Sequence, residues 1–192
     1  MAVFFTADTH FGDPRVLRID RRPFASVAEH DAALIGTWNE TVGPEDEVWH
    51  LGDFARGSAE RIGEILAALN GRKHLVTGNN DARATLEQAA WASVQAYAEL
   101  DVDGAKLVLC HYAFRTWKNM GRGWLDLHGH SHGRLRTMPR QYDVGVDAWD
   151  YRPVTLDTIL STKRRRTIPP PPASGGRGEG RLGRRPSGVG GE

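Results

Sequence analysis

Residues 2–10 read AVFFTADTH, a short apolar run that ends abruptly in Asp8, Thr9 and His10. An unalternating run of this length fits a strand buried on both faces better than a helix, so the polar triplet falls in the loop past the strand's C-terminal end. The same figure recurs along the chain. Residues 47–51 (EVWHL) lead into Gly52 and Asp53, and residues 73–77 (KHLVT) into Gly78, Asn79, Asn80 and Asp81. Residues 105–110 lead into His111, and residues 125–128 into Gly129, His130, Ser131 and His132.

The intervening segments complete the pattern. Ser26 and Glu29 form a capping box that opens a helix to about Asn39, with Ala33, Leu34 and Trp38 on its inner face. Ile62, Ile65, Leu66 and Leu69 recur at helical spacing, and Asn70-Gly71 stops that helix. A further helical piece is expected at 82–90, then a strand at 94–100, a turn at 101–104, and two late strands at 142–146 and 153–156. Strands alternating with helices first and hairpins later predict two sheets with helices outside them.

Composition sets outer bounds. With 192 residues, 40% of them hydrophobic, one domain is the expectation. No stretch approaches the roughly 20 apolar residues of a membrane span, and the start has no basic segment followed by an apolar run and a cleavage site; a cytoplasmic protein is expected. Cys110 is the only cysteine, so no internal disulfide forms. The formal charge of +1 hides an asymmetry, because residues 163–192 carry eight Lys or Arg against Glu179 and Glu192. Residues 1–162 hold 17 basic and 22 acidic side chains and all eight histidines, a balance that suits cations better than a nucleic-acid track. We therefore divide the chain into an acidic, histidine-rich body, 1–162, and a basic, Pro/Gly/Arg-rich disordered tail, 163–192.

Taken singly, Asp8 or Asp53 reads as a turn or cap and His111 as a satisfied histidine. Taken together, five donor-rich loops at strand ends are too many for independent turn chemistry. Their order, D-x-H, G-D, G-N-x-D, H and G-H-x-H, resembles the calcineurin-like metallophosphoesterase family over about residues 3–156. The resemblance implies a four-layer αββα sandwich, an α/β fold of two mixed sheets flanked by helices. It also implies two adjacent cations, the first held by Asp8, His10, Asp53 and His132, the second by Asp53, Asn79, His111 and His130, with Asp53 shared. Imidazole nitrogens mixed with carboxylate and amide oxygens suit Mn²⁺, expected first, or Fe, Zn or Ni, rather than Ca²⁺. Two such ions about 3.5–4 Å apart activate a water near neutral pH and neutralise phosphate charge, so no protein nucleophile is needed.

Asn80 departs from the family pattern, which commonly places there a histidine thought to bind phosphate and protonate the leaving group. An amide donates a hydrogen bond but is no general acid, a loss worth about 10²–10⁴-fold with poor leaving groups. The expectation is a small phosphodiester or nucleotide-type substrate, with Asn80 donating to phosphate and Asp81 holding the loop. Arg15, Arg56, Arg83 and Arg115 lie in loops that rim such a site, Arg56 and Arg83 being the substrate-binding candidates. Tyr112, Trp117 and Trp124 near His111 read equally as stacking faces or core. His50 and His74, inside strands, read as structural, and His128 as packing or as support for a ligand. Two competing readings are a non-catalytic scaffold, which predicts missing ligands, and a nuclease acting on short nucleic acid with the basic tail as a tether.

Overall fold

The computed structural model describes residues 1–136 and 138–162, so the expected basic tail lies outside the described residues. Among the described residues, nine strands form two sheets. In the first, β1 (Val3–Thr6), β2 (Glu47–His50), β3 (Arg72–Val76) and β4 (Trp91–Gln95) run parallel, and β9 (Val154–Thr155) pairs antiparallel with β1, giving the order β4-β3-β2-β1-β9. In the second, β5 (Ala98–Val102) pairs antiparallel with β6 (Ala105–Leu109), which runs parallel to β7 (Leu125–His128) and β8 (Gln141–Asp143). The helices are α1 (Arg15–Ile19), α2 (Val27–Thr41), α3 (Ala59–Ala68), α4 (Arg83–Leu86) and α5 (Leu156–Ser161). The expected α/β fold of two mixed sheets with helices is therefore the one observed.

Alternation along the strands explains the layering. Phe4, Val48 and Leu75 face one way, into a core with Leu34 and Trp38 of α2 and Ile62, Ile65 and Leu66 of α3. Their neighbours Phe5, Trp49 and Val76 face the other way and meet Leu107, Leu109, Leu125 and Leu127 of the second sheet. Each of these large side chains contributes about 1.5–3 kcal/mol when fully buried. On the far side of the second sheet, Asp126 accepts from the Phe114 N–H, and the Gln141 amide donates to both Asp126 and the Phe114 carbonyl. These bonds tie down the segment that carries His111 and Tyr112.

The capping-box serine accepts from the Glu29 N–H as expected, and Ser58 caps α3 in the same way. The strand expected at 94–100 is two strands in different sheets, because the chain bends at Ala96 and crosses from β4 to β5. Late in the chain the expected strands are shorter: a 3-10 turn at Val146–Ala148 follows β8, and Thr155 caps α5 after β9. The helical piece at 82–90 contracts to α4. Among the described residues no helix is long and apolar enough to cross a membrane.

Candidate metal centre

Parallel pairing of β1, β2 and β3, and of β6 and β7, brings the five donor-rich loops to the same ends of their sheets. Main-chain bonds lock them together. Asp8 N–H donates to the Gly52 carbonyl, His10 N–H to that of Asp53, and Gly129 N–H to that of His111. The His130 N–H reaches the Asp8 carboxylate at 3.1 Å. Five of the seven expected ligands, Asp8, His10, Asp53, His130 and His132, have φ between 49° and 65°. That left-handed region is uncommon for any residue with a Cβ, and clusters of such strain mark sites whose surroundings over-determine them. Gly129 permits the closest approach, since a Cβ there would stand 2.5 Å from the Ala7 Cβ and 2.9 Å from Asp8 Oδ2.

Asp8, His10 and His132 form one potential ligand group, and Asp8, Asp53 and His111 a second, with one ligand atom from each residue within 4.8 Å of the others. Asp53 also stands between them, its Oδ2 3.5 Å from His10 Nε2 and 3.6 Å from His111 Nε2. His111 Nδ1 donates to the Leu51 carbonyl at 2.8 Å, so Nε2 turns its lone pair toward Asn79 Oδ1 at 3.0 Å. Exposed His130 packs edge-on against His111, ring centroids 5.0 Å apart. The donors fit a divalent cation on a specific ground: Asp8 is fully buried, yet its Oδ2 has no hydrogen-bond partner among the described residues. A fully buried carboxylate oxygen with no hydrogen-bond partner, set among imidazole and carboxylate donors, is reconciled by a positive ion.

The sequence itself now decides the family. A model of the calcineurin-like phosphoesterase superfamily domain matches residues 1–144. The chain belongs to that superfamily. It is 32% identical over 179 residues to the Gene 66 protein of Mycobacterium phage D29, covering 77% of this chain and 88% of the phage protein. It is 28% identical over 167 residues to MJ1445 of Methanocaldococcus jannaschii, covering 82% and 89% of the two chains. The crystal structure of AQ665 from Aquifex aeolicus superposes with a TM-score of 0.65 at 21% identity, covering 82% of this chain and 97% of that one, which supports the fold.

Protonation in this phosphoesterase follows from burial and neighbours. Burial lowers His10 to about 4, and desolvation of its ring against the neighbouring His111 also lowers His130, although the residue as a whole is exposed; both imidazoles are neutral and ligand-ready near pH 7. Burial drives the Asp8 carboxyl well above its usual range, aided by Asp143 and Asp53. Burial also pushes Asp53 up, but the bonds from Asn80 outweigh it and hold the group below its ordinary value. For His132, burial is overridden by the Asp147 hydrogen bond and by the charges of Asp8, Asp147 and Asp20, which raise it to about 9. Without metal, this raised group contributes stability that is complete below its unfolded value of about 6.5 and lost as pH rises through about 9. Thermal melts in chelator from about pH 6 to pH 10 are expected to show that decline, and Asp147→Asn to flatten it.

Beside the ligands the phosphoesterase has a cleft of about 280 Å³ lined by His10, Asp13, Arg15, Asp53, Ala55, Arg56, Asn80 and Ala82. Arg56 is exposed at its rim, whereas Arg83, the other substrate-binding candidate, turns outward to Glu87 and does not line it. Arg15 takes that position, its guanidinium paired with Asp13. Asn80 also holds Asp53: its N–H and its side-chain amide both donate to that carboxylate, at 2.7 and 2.6 Å. Asp81 holds its loop by accepting from the N–H groups of Asp53, Phe54 and Gly78.

Among the remaining candidates, His50 is fully buried and bonded to Thr9, and His74 stacks on Trp49 and bonds Ser93, in line with structural roles. Trp117 is buried and bonded to the Trp124 carbonyl. Buried His128 bonds the Gly129 carbonyl behind the G-H-x-H turn. Sequence reasoning missed Arg22 and Asp147, which touch the ligand loops from behind, and His30, which bonds Arg22. The one available cue was position, since Asp147 follows a strand end as the ligands do.

Proposed function

We propose that this chain is a phosphodiesterase that uses two divalent ions, Mn²⁺ first, held by Asp8, His10, Asp53, Asn79, His111, His130 and His132. When bound, the ions supply positive charge to the phosphate oxygens and a nucleophilic water near neutral pH. The chain's own residues do the rest. Asn80 orients Asp53 through two bonds and keeps one amide N–H for a phosphate oxygen. Arg56 at the cleft rim provides a charged donor for the same phosphate. Water adds to phosphorus and loses a proton to solvent, the ester P–O bond breaks, and the departing alcoholate takes a proton from solvent.

The observation that carries this reading is the side chain at position 80. A neutral amide engaged with Asp53 protonates nothing, and the nearby acid Asp13 is no substitute. Burial raises Asp13, but its bonds from Arg15 outweigh that and keep it ionised. Esters with good leaving groups are therefore favoured. The cleft lined by His10 and Asp53 is also lined by Ala55, Arg56 and Ala82, which gives the second substituent of a diester a place to lie. Tyr112, 47% exposed and edge-on to His130 at 4.8 Å, offers a stacking face for a nucleotide base.

The test compares an aryl phosphodiester with the monoester of the same aryl alcohol under saturating Mn²⁺. Faster diester turnover is expected, and faster monoester turnover overturns the preference. Asn80→His is expected to raise monoester kcat by about tenfold or more by restoring a general acid; an unchanged rate counts against the role given to Asn80.

A further inference from the structure

The ligand loops are held from behind by a single guanidinium. Arg22 lies in the loop before α2, its side chain completely buried, and each of its five N–H donors has an acceptor. Nε and one Nη2 hydrogen go to Asp147 at 2.9 and 2.7 Å. The other Nη2 hydrogen goes to the Asp8 carbonyl at 2.6 Å, and Nη1 donates to the Thr9 carbonyl and to His30 Nε2, both at 2.9 Å. Because arginine stays protonated, His30 Nε2 is the acceptor and its Nδ1–H donates to Asp31 at 2.9 Å. Asp31 in turn accepts from the Gly12 N–H. At the other end of the chain of bonds, Asp147 Oδ2 lies 2.7 Å from His132 Nδ1.

We propose that Arg22 and Asp147 are the positioning residues of the metal centre: Arg22 holds the strained D-x-H loop by its carbonyls and aligns Asp147, which fixes His132 with Nδ1 protonated and Nε2 free for a metal. The two carbonyls that Arg22 binds flank the backbone between Asp8 and His10, whose φ values are 58° and 49°. Its bonds thus offset strain at two ligands while its carboxylate partner orients a third. A ligating histidine whose other nitrogen donates to a carboxylate holds metal more tightly, and losing that partner typically costs about 10–100-fold in affinity. Buried Arg–carboxylate pairs are poor stabilisers when compared with apolar replacements, so a positional role accounts for this one better than a purely structural role.

The inference rests on the metal-binding reading, and its test separates the two. Asp147→Asn keeps shape and an acceptor for Arg22, but its amide favours the His132 tautomer with Nε2 protonated. Mn²⁺ binding to the full chain, followed by the electron paramagnetic resonance of free Mn²⁺, is expected to weaken about 10–100-fold in this variant. In Zn²⁺-loaded protein, the His132 Nδ1–H resonance is expected in the wild type and absent from Asp147→Asn. Arg22→Lys keeps the charge and loses the forked bonds, and is expected to weaken Mn²⁺ binding in the same direction. Undiminished affinity in folded Asp147→Asn overturns the inference; should that variant not fold, undiminished affinity in folded Arg22→Lys does so. A wild-type chain that binds neither Mn²⁺ nor Zn²⁺ overturns the metal reading itself, and the inference with it.

Discussion

Asp53→Asn is expected to lower metal-dependent diester hydrolysis by about three orders of magnitude or more, since several kcal/mol of charge stabilisation depends on the metal centre and each 1.36 kcal/mol is tenfold in rate. The carboxylate occupies the centre of the cluster, with His10 Nε2 at 3.5 Å and His111 Nε2 at 3.6 Å. It also accepts two bonds from Asn80. An amide in its place removes the negative charge and sets its own N–H₂ against the Asn80 N–H₂, two donors facing each other. The left-handed backbone at Asp53, φ 58°, tolerates asparagine, so the fold is expected to survive. The measurement is kcat/KM for an aryl diester with Mn²⁺, together with the melting temperature in chelator. Activity within tenfold of wild type in a folded variant would show that Asp53 is not at the heart of the reaction.

What the sequence exposed and what it concealed divide along physical lines. The ligand candidates were legible because each follows a strand whose apolar run is unmistakable, and parallel pairing then gathers loop after loop at one end. Gly129 and Gly52 were legible as small residues, although only the fold shows what they avoid: at Gly52, φ 91°, a Cβ would stand 2.5 Å from the Gly78 nitrogen. The crossing between sheets at Ala96 left no mark, because residues 94–100 alternate as one strand would. Arg22 was equally silent. Its partner Asp147 is 125 residues away, and no periodicity records which buried charge will meet which. Arg83 shows the converse, a basic residue beside a ligand loop that pairs with Glu87 at the C-cap of its own helix and leaves the cleft to Arg15 and Arg56.

Asp8→Asn is expected to stabilise the metal-free protein and to abolish the stabilisation that metal gives. Asp8 is buried, Oδ2 has no partner among the described residues, and burial together with Asp143 and Asp53 raises its pKa. A carboxyl whose folded value is raised binds more protons in the native state than in the unfolded one. Metal-free stability therefore falls as pH climbs from the unfolded value of about 3.9 through the raised one. Asparagine keeps an acceptor for the His130 N–H and places amide hydrogens where Asp8 Oδ2 faces neighbouring acids. His132 offsets part of the cost of burying this charge, but desolvation outweighs it, and removing the charge is worth about 1–3 kcal/mol, or roughly 2–4 °C of melting temperature for each kcal/mol in a chain of this size. Wild type is expected to gain about 2.7 kcal/mol from metal at a hundred times its Kd, and Asp8→Asn to gain almost none. Melting curves with chelator and with Mn²⁺ decide the matter: a variant less stable than wild type in chelator would mean that the Asp8 charge already has its counter-ion within the protein, and that the demand for a cation at this centre has been misread.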